Sequence, residues 1–353
     1  MKKSVKNTAK KTLSLLTAVI MLFVVTAVSG TVVSASPSVN AEEISLFFID
    51  DWEKDYLTLP SDCKESFRLK VSGASDVKYV AVENGVNVSE TGLITPKVKT
   101  FYWYGGVGYS WKMAGTEPDE ITHEVQSGMH TVVVEADSYV FRITVNVYDY
   151  GEYYAEKAMD KFVSDNIRSG MTTEQKLDAI AKYVASKEYD ASYSSATGMI
   201  VSGGGDCWAS TDVIIKLAKK CGLDAWERNA NRDFGAGSGH MNAMVYDGKN
   251  YYEVEAGYAE KAPRGYTVKK RTSLFSTVIN GDYFGYEVYQ YDGKTTPANL
   301  TIPETIDGKN VVAIGSNFLI GDEKVESVTL PSTIQMIGTG AFQSCTCSDH
   351  LYC

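Results

Sequence analysis

Three residue types that together carry out acyl transfer occur in the order cysteine, histidine, acid. Cys207 comes first, His240 follows 33 positions later, and Glu255 follows 15 positions after that. A thiolate can attack a carbonyl carbon, an imidazole can hold and return the proton, and a carboxylate can orient the imidazole. Because the chain has only four histidines, few other combinations of this kind exist.

The residues around Cys207 predict that it begins an α-helix. Three glycines at 203–205 precede it, and they allow the backbone to turn sharply and leave room for a substrate. The helix is expected to run to about Cys221, where Gly222 suits a left-handed C-terminal position. A helix N-terminus lowers the pKa of a thiol and offers donors to a developing oxyanion. The apolar stripe of this helix consists of Val213, Ile214, Leu217 and Ala218.

The histidine and the acid are expected to lie on neighbouring strands. The runs Met241–Tyr246 and Tyr251–Glu255 are strand-like, and the Asp-Gly pair between them is typical of a hairpin turn. Positions 240 and 255 can therefore approach each other in space. A carboxylate at 255 would then hold the imidazole in one tautomer and orientation.

Two segments carry a family resemblance. GGGDCWASTDVIIKLAKKCGLDA resembles the cysteine helix of the transglutaminase-like superfamily, and GHMNAMVYDGKNYYEVEAGY resembles its histidine and acid strands. The resemblance extends over about residues 172–263. It implies a papain-like cysteine core in which Cys207, His240 and Glu255 occupy the catalytic positions.

The acid position has three candidates. The superfamily usually has aspartate where this chain has Glu255, so Asp206 and Glu253 remain alternatives. Alternation along the strand places Glu253 on the same face as Glu255. Trp208 is interpreted as a packing residue beside the site, and no upstream oxyanion side chain is identified. Residues interpreted as structural are His123, His130 and Cys221.

The resemblance implies an enzyme that cleaves or transfers amide bonds through a thioester at Cys207. Hydrolysis by a protease or amidase is favoured over protein cross-linking, because bacterial members of the superfamily include many regarded as proteases. The expected substrate is a protein or peptide, with cell-wall peptides as one option. The alternative is a non-enzymatic cell-surface adhesin with an inert transglutaminase-like fold. No cofactor is expected, since the glycine run lacks the Gly-Lys-Ser/Thr ending of a phosphate loop.

The fold class expected is multidomain. Alternation such as that in Phe141–Val147 predicts many short strands, and residues 44–150 are expected to form an all-β sandwich. Parts of residues 80–96 resemble a bacterial immunoglobulin-like domain. Helices, one of them with a predicted capping box from Thr172 to Gln175, then precede the hairpin. Residues 152–270 are therefore expected to form the α+β, transglutaminase-like catalytic domain.

The C-terminal region contains a repeat. LTIPETI at 300–306 recurs as VTLPSTI at 328–334, and Ile314-Gly315 recurs as Ile337-Gly338 after 23 residues. This period is in the leucine-rich-repeat range. The amino-acid sequence of the two segments resembles BspA-like repeats of bacterial surface antigens. Residues 285–353 are therefore expected to form leucine-rich repeats that could bind surface partners. The pattern breaks near Cys345, which predicts a truncated or frame-shifted terminus.

The first 35 residues are typical of an export signal. Five lysines precede the apolar run Leu13–Val28, and small residues follow as far as Ala35. A signal peptide at 1–35 predicts a secreted or cell-surface protein without a membrane span after cleavage, although an uncleaved anchor is an alternative. The net charge of −10 becomes −15 when these five lysines are removed. Such a balance argues against a nucleic-acid partner.

Overall fold

The computed structural model describes residues 36–103, 120–233, 239–256, 265–349 and 351–352. The predicted signal peptide at 1–35 lies outside the described residues. The described chain is mainly β-structure, with four α-helices and several separate sheets. None of these helices is long and apolar enough to cross a membrane.

Strands β1–β11 form four sheets, and two of them share one core. One sheet has the order β2-β11-β10-β5 and the other the order β3-β7-β6, and both contribute side chains such as Leu46, Ile94 and Val134 to a shared apolar core. The predicted alternation in Phe141–Val147 is confirmed, because Ile143 and Val145 are buried there. The strands are β1 Ser38–Val39, β2 Glu43–Phe48, β3 Phe67–Arg68, β4 Val71–Ser72, β5 Val77–Ala81, β6 Val86–Val88, β7 Leu93–Pro96, β8 Val98–Trp103, β9 Glu120–Val125, β10 Gly128–Ala136 and β11 Tyr139–Asp149.

The first of four helices follows β11 without a linker. Asp149 ends β11 and caps the first helix, because its side chain accepts the N–H groups of Gly151 and Glu152. The predicted capping box between Thr172 and Gln175 is confirmed at the second helix. The helices are α1 Tyr150–Asn166, α2 Thr173–Ala185, α3 Ala196–Ser202 and α4 Cys207–Lys220.

A four-stranded antiparallel sheet packs against α4 and has the order β14-β15-β16-β17. The predicted hairpin is confirmed, with Tyr246 opposite Tyr251 across the turn. Leu217 of α4 shares a buried core with Ala243 and Val254 of the sheet. The strands of this region are β12 Glu188–Tyr189, β13 Gly204–Gly205, β14 Asp224–Asn229, β15 Met241–Tyr246, β16 Tyr251–Ala256 and β17 Tyr266–Arg271.

The C-terminal repeats lie side by side in parallel ladders. Leu300 is paired with Val328, and Ile314 with Ile337, so the residues that recur in the sequence are neighbours in space. The hairpin β18–β19 joins this array, because β19 pairs with β22. The strands are β18 Phe275–Asn280, β19 Gly285–Tyr291, β20 Asn299–Thr301, β21 Thr305–Ile306, β22 Lys309–Ile314, β23 Ser327–Thr329, β24 Met336–Ile337 and β25 Leu351–Tyr352.

Candidate functional site

Cys207 is the first residue of α4, as the sequence predicts. The Asp206 side chain caps the helix by accepting the Ala209 N–H at 2.9 Å, and the Ser194 hydroxyl donates to its other oxygen. The Cys207 side chain is half-buried, so a substrate can reach the thiol. Asp206 thus serves the helix N-terminus and is not the partner of the imidazole.

The glycines before Cys207 are required by a close backbone approach. A Cβ on Gly205 would lie 2.7 Å from the Cβ of Ala209, and one on Gly204 would lie 2.9 Å from the carbonyl oxygen of Glu188. Both distances are well below ordinary contact. The short ladder β12–β13 can therefore pack directly beneath the first turn of α4 only because these residues lack side chains.

His240 is held next to this helix start by its own backbone. Its N–H donates to the Asn231 side chain at 2.7 Å, and its carbonyl oxygen accepts the Ala230 N–H at 3.0 Å. The preceding carbonyl, that of Gly239, accepts the Trp208 indole N–H at 3.2 Å. It also lies 3.7 Å from the Cys207 sulfur. The residues directly before β15 thus contact the first turn of α4 through the Gly239 carbonyl.

The structure brings Cys207, His240 and Glu255 together. The Nε2 atom of His240 lies 2.8 Å from the Glu255 Oε2, and both side chains are buried. A hydrogen bond with Cys207 and the one with Glu255 raise the pKa of His240 to about 10, against the lowering effect of burial. The raised pKa favours the protonated imidazolium of His240 at neutral pH.

The two alternative acids have other partners. Glu253 accepts a hydrogen bond from Arg271 Nη1 at 2.5 Å, and Asp206 caps α4. Glu255 is therefore the acid of this group that contacts the imidazole. The extra methylene relative to aspartate does not prevent the contact.

Cys221, His130, Cys345 and Cys347 lie elsewhere in the described part of the fold. Cys221 is the C-cap residue directly after α4, and burial raises its pKa, which favours the neutral thiol. His130 is buried and its Nε2 lies 2.9 Å from the carbonyl oxygen of Gln126. Cys345 and Cys347 form a disulfide with each other. Among the residues that the structure describes, no group of three or more His, Cys, Asp or Glu could hold a metal ion.

The positions of two residues beside the site, Trp208 and Asn231, do not follow from the sequence. Trp208 is 45% exposed rather than packed into a core, and its indole tethers the Gly239 carbonyl. Asn231 supports the His240 backbone, but nothing in the sequence marks it, because the contact depends on how β14 and β15 pair. Exposure of the Trp208 ring next to Cys207 makes it a surface that a substrate can touch.

No family model and no curated protein matches the chain. Solved structures similar to it include a leucine-rich repeat protein from T. pallidum, with 28% identity over 23% of this chain and a TM-score of 0.21. They also include a transglutaminase (TGase), with 14% identity over 53% of this chain and a TM-score of 0.25. The chain spans 36% of the length of the first protein and 54% of the second. TM-scores this low leave the site to be argued from its own geometry.

Proposed function

We propose that this protein is a transglutaminase-like cysteine enzyme that breaks amide bonds through a thioester at Cys207. One observation supports this most directly: the His240 imidazole lies 2.8 Å from the Glu255 carboxylate, and the Gly239 carbonyl directly before it lies 3.7 Å from the Cys207 sulfur. A thiol alone reacts slowly with amides, whereas a thiolate paired with an imidazolium has both a nucleophile and a proton donor in place.

The reaction has two steps with a covalent intermediate. The Cys207 thiolate attacks the amide carbonyl, and the oxyanion forms at the start of α4, where helix N–H groups point outward. His240 gives its proton to the leaving nitrogen as the C–N bond breaks, and a thioester remains on Cys207. Water then attacks the thioester, its proton passes to the neutral His240, and the acid leaves as the thiolate is restored.

Hydrolysis by a protease or amidase is the preferred outcome, and the proposed substrate is a protein or peptide. An amine in place of water would give cross-linking through the same thioester. The signal-like residues 1–35 support a secreted or cell-surface enzyme. Cell-wall peptides would then be accessible substrates, and the C-terminal parallel ladders would offer a surface for partners.

Covalent labelling tests the nucleophile. The full chain is treated with an amide-mimicking electrophilic peptide, and the modified residue is located by mass spectrometry. Labelling is expected at Cys207, absent in Cys207→Ala and strongly slowed in His240→Ala. Cys221→Ser and Cys63→Ser are the matched controls and should label like the parent. Equal labelling of His240→Ala and the parent would rule the proposal out.

A binding protein with an inert core is the second candidate. The parallel pairing of Leu300 with Val328 and of Ile314 with Ile337 favours it, because such stacked repeats present extended binding surfaces. A peptide library with mass readout separates the two. Cleaved or amine-linked products that vanish in Cys207→Ala support the enzyme, and their complete absence supports the binding protein.

A further inference from the structure

Three aromatic side chains from two parts of the chain form a cluster, here called the Trp52 cluster, of Trp52, Tyr56 and Tyr193. The Trp52 and Tyr193 ring centroids are 5.7 Å apart, and Tyr56 meets Tyr193 edge to face at 6.5 Å. The Tyr193 hydroxyl donates to the Tyr56 hydroxyl at 3.2 Å. Trp52 and Tyr56 precede β3 in the N-terminal part, whereas Tyr193 lies between β12 and α3. The cluster therefore joins the N-terminal part to the helical region.

The Trp52 cluster is next to the candidate nucleophile. The Tyr193 carbonyl accepts the Asp206 N–H at 2.9 Å, and the Asp190 N–H donates to the Gly205 carbonyl at 3.2 Å. Asp206 and Gly205 are the two residues directly before Cys207. A peptide whose carbonyl reaches the Cys207 sulfur can therefore extend to these rings.

The rings are open to solvent. Trp52 is 42% exposed and Tyr56 is 54% exposed. Aromatic residues this exposed, in contact with one another and beside a reactive residue, form a surface that a ligand can cover. Continuity with the Cys207 site makes the substrate itself the occupant to consider.

The charge around the rings is negative. Segments 50–56 and 188–193 contain six acids and one lysine, Lys54, and Lys54 is paired with Asp51. The Asp190 carboxylate accepts the N–H of Ser192, the residue before Tyr193, at 2.9 Å. The hydrogen bond with Tyr56 raises the pKa of the Tyr193 phenol to about 12. The acids are Asp50, Asp51, Glu53, Asp55, Glu188 and Asp190. Glu53 is buried and its pKa is raised to about 8, so the other five supply the charge at neutral pH.

Electron-rich ring faces combined with carboxylates are the chemistry that recognises organic cations. An anionic side chain would be repelled here, and a neutral aliphatic one would gain only apolar contact. We infer that the Trp52 cluster and Asp190 form a subsite for an alkylammonium group, such as the side chain of a lysine-type residue close to the scissile bond. This assignment rests on the proposed function, because it gives the substrate class of the same site.

Direct binding tests the subsite without turnover. The full chain carrying Cys207→Ala and ¹⁵N-labelled tryptophan is titrated with N-acetyl-lysine methylamide, and separately with N-acetyl-norleucine methylamide. The two probes differ mainly in the ammonium group. The lysine probe is expected to shift the Trp52 indole signal and to bind about tenfold tighter than the norleucine probe, the size expected of cation–π contacts aided by a carboxylate. The Trp52 signal is assigned by its loss in Trp52→Ala.

Matched variants show whether the named residues are responsible. Tyr56→Ala and Asp190→Asn, each in the Cys207→Ala chain, should reduce the preference for lysine to below about threefold. Tyr139→Ala and Asp165→Asn, which change exposed residues away from the cluster, should preserve it. A preference that survives both cluster variants overturns the assignment. Equal binding of the two probes also overturns it and indicates an apolar surface, and absence of binding by either probe overturns it as well.

The outcome is separate from that of the labelling experiment. If Cys207 labels with the electrophilic peptide but the lysine probe shows no preference, the enzyme proposal stands and the subsite is wrong. If the lysine probe binds as expected but Cys207 does not label, the surface recognises a cation and the proposed chemistry is wrong.

Discussion

Arg228 and Asp292 form an ion pair, with 3.2 Å between Nε and Oδ1, in which the two side chains are only 2% and 0% exposed. Arg228 belongs to β14, in the sheet that contains Glu255, whereas Asp292 directly follows β19 of the C-terminal sheet. Arg271 of β17 extends the link, because it donates to Asp292 Oδ2 at 3.0 Å and to Glu253 at 2.5 Å. The C-terminal sheet is therefore bound to the strands that form the candidate site.

Removing the Asp292 carboxylate should destabilise the protein strongly. Asp292→Ala leaves two buried arginine side chains short of a partner, and such losses cost about 3–5 kcal/mol. Urea unfolding measures the change. Lys294→Ala is the control, because it breaks an exposed pair with Asp224 that should contribute less than about 1 kcal/mol. Similar losses for both variants would contradict a structural role for the buried pair.

Glu255→Gln should slow the reaction of Cys207. The variant removes the carboxylate charge that, together with the Cys207 hydrogen bond, raises the pKa of His240. The neutral amide supports an imidazolium less well, so amide turnover should fall about 10²- to 10⁴-fold. Glu255→Asp keeps the charge and should lose less. Rates of peptide cleavage measure both, and an equal loss for the two variants would argue against a charge-based role.

The raised pKa of His240 predicts a loss of stability at high pH. The folded value is about 10 and the ordinary value 6.5, so the folded protein holds this proton more tightly than the unfolded chain. The stabilisation is complete below pH 6.5 and disappears as pH rises to about 10. The free energy of unfolding should therefore fall across this window in the parent and less steeply in His240→Gln. Parallel curves would contradict the assigned pairing.

The buried Glu53 carboxyl predicts a second pH dependence of stability, in a lower pH range than that of His240. Its side chain is 0% exposed and neither carboxyl oxygen has a hydrogen-bond partner. Burial and the nearby Asp149 and Asp50 charges raise its pKa from 4.5 to about 8. The folded state thus retains a proton that the unfolded chain releases above pH 4.5.

Stability should consequently decline as pH rises from 4.5 to about 8, and Glu53→Gln should make this decline shallower. The raised pKa values of Asp149 and His240 still contribute to the slope in this variant. Chemical denaturation at several pH values measures it. Glu65→Gln changes an exposed carboxylate and should leave the pH curve as it is in the parent. If the Glu53→Gln curve declines as the parent does, the buried neutral carboxyl is not the cause.

The sequence was sufficient where local rules decide the structure. The capping box at Thr172, the start of the helix at Cys207 and the turn of the β15–β16 hairpin follow from neighbouring residues. The hydrogen bond between Tyr193 and Tyr56 joins residues 137 positions apart, and nothing local encodes it. Asn231 and the Arg228–Asp292 pair are similar cases, because tertiary packing rather than spacing brings each contact together.

The glycine of the repeated Ile-Gly pair is explained by a close approach of neighbouring repeats. A Cβ on Gly338 would lie 2.7 Å from the carbonyl carbon of Gly315 and closer still to the Ser316 nitrogen. Neighbouring repeats thus approach backbone to backbone at this position, and backbone atoms cannot move aside as a flexible side chain can.

Gly338→Ala should therefore force the ladders of Ile314 and Ile337 apart and destabilise the C-terminal sheet by about 1–3 kcal/mol. Gly281→Ala is the matched control, since a Cβ there would have no atom within 4 Å. Hydrogen exchange of the backbone amides in β22 and β24 measures the effect locally. Faster exchange in Gly338→Ala alone is expected, because the added methyl group separates the strands that protect these amides. Unchanged exchange would mean that the repeats tolerate a wider spacing, and the glycine would then need another explanation.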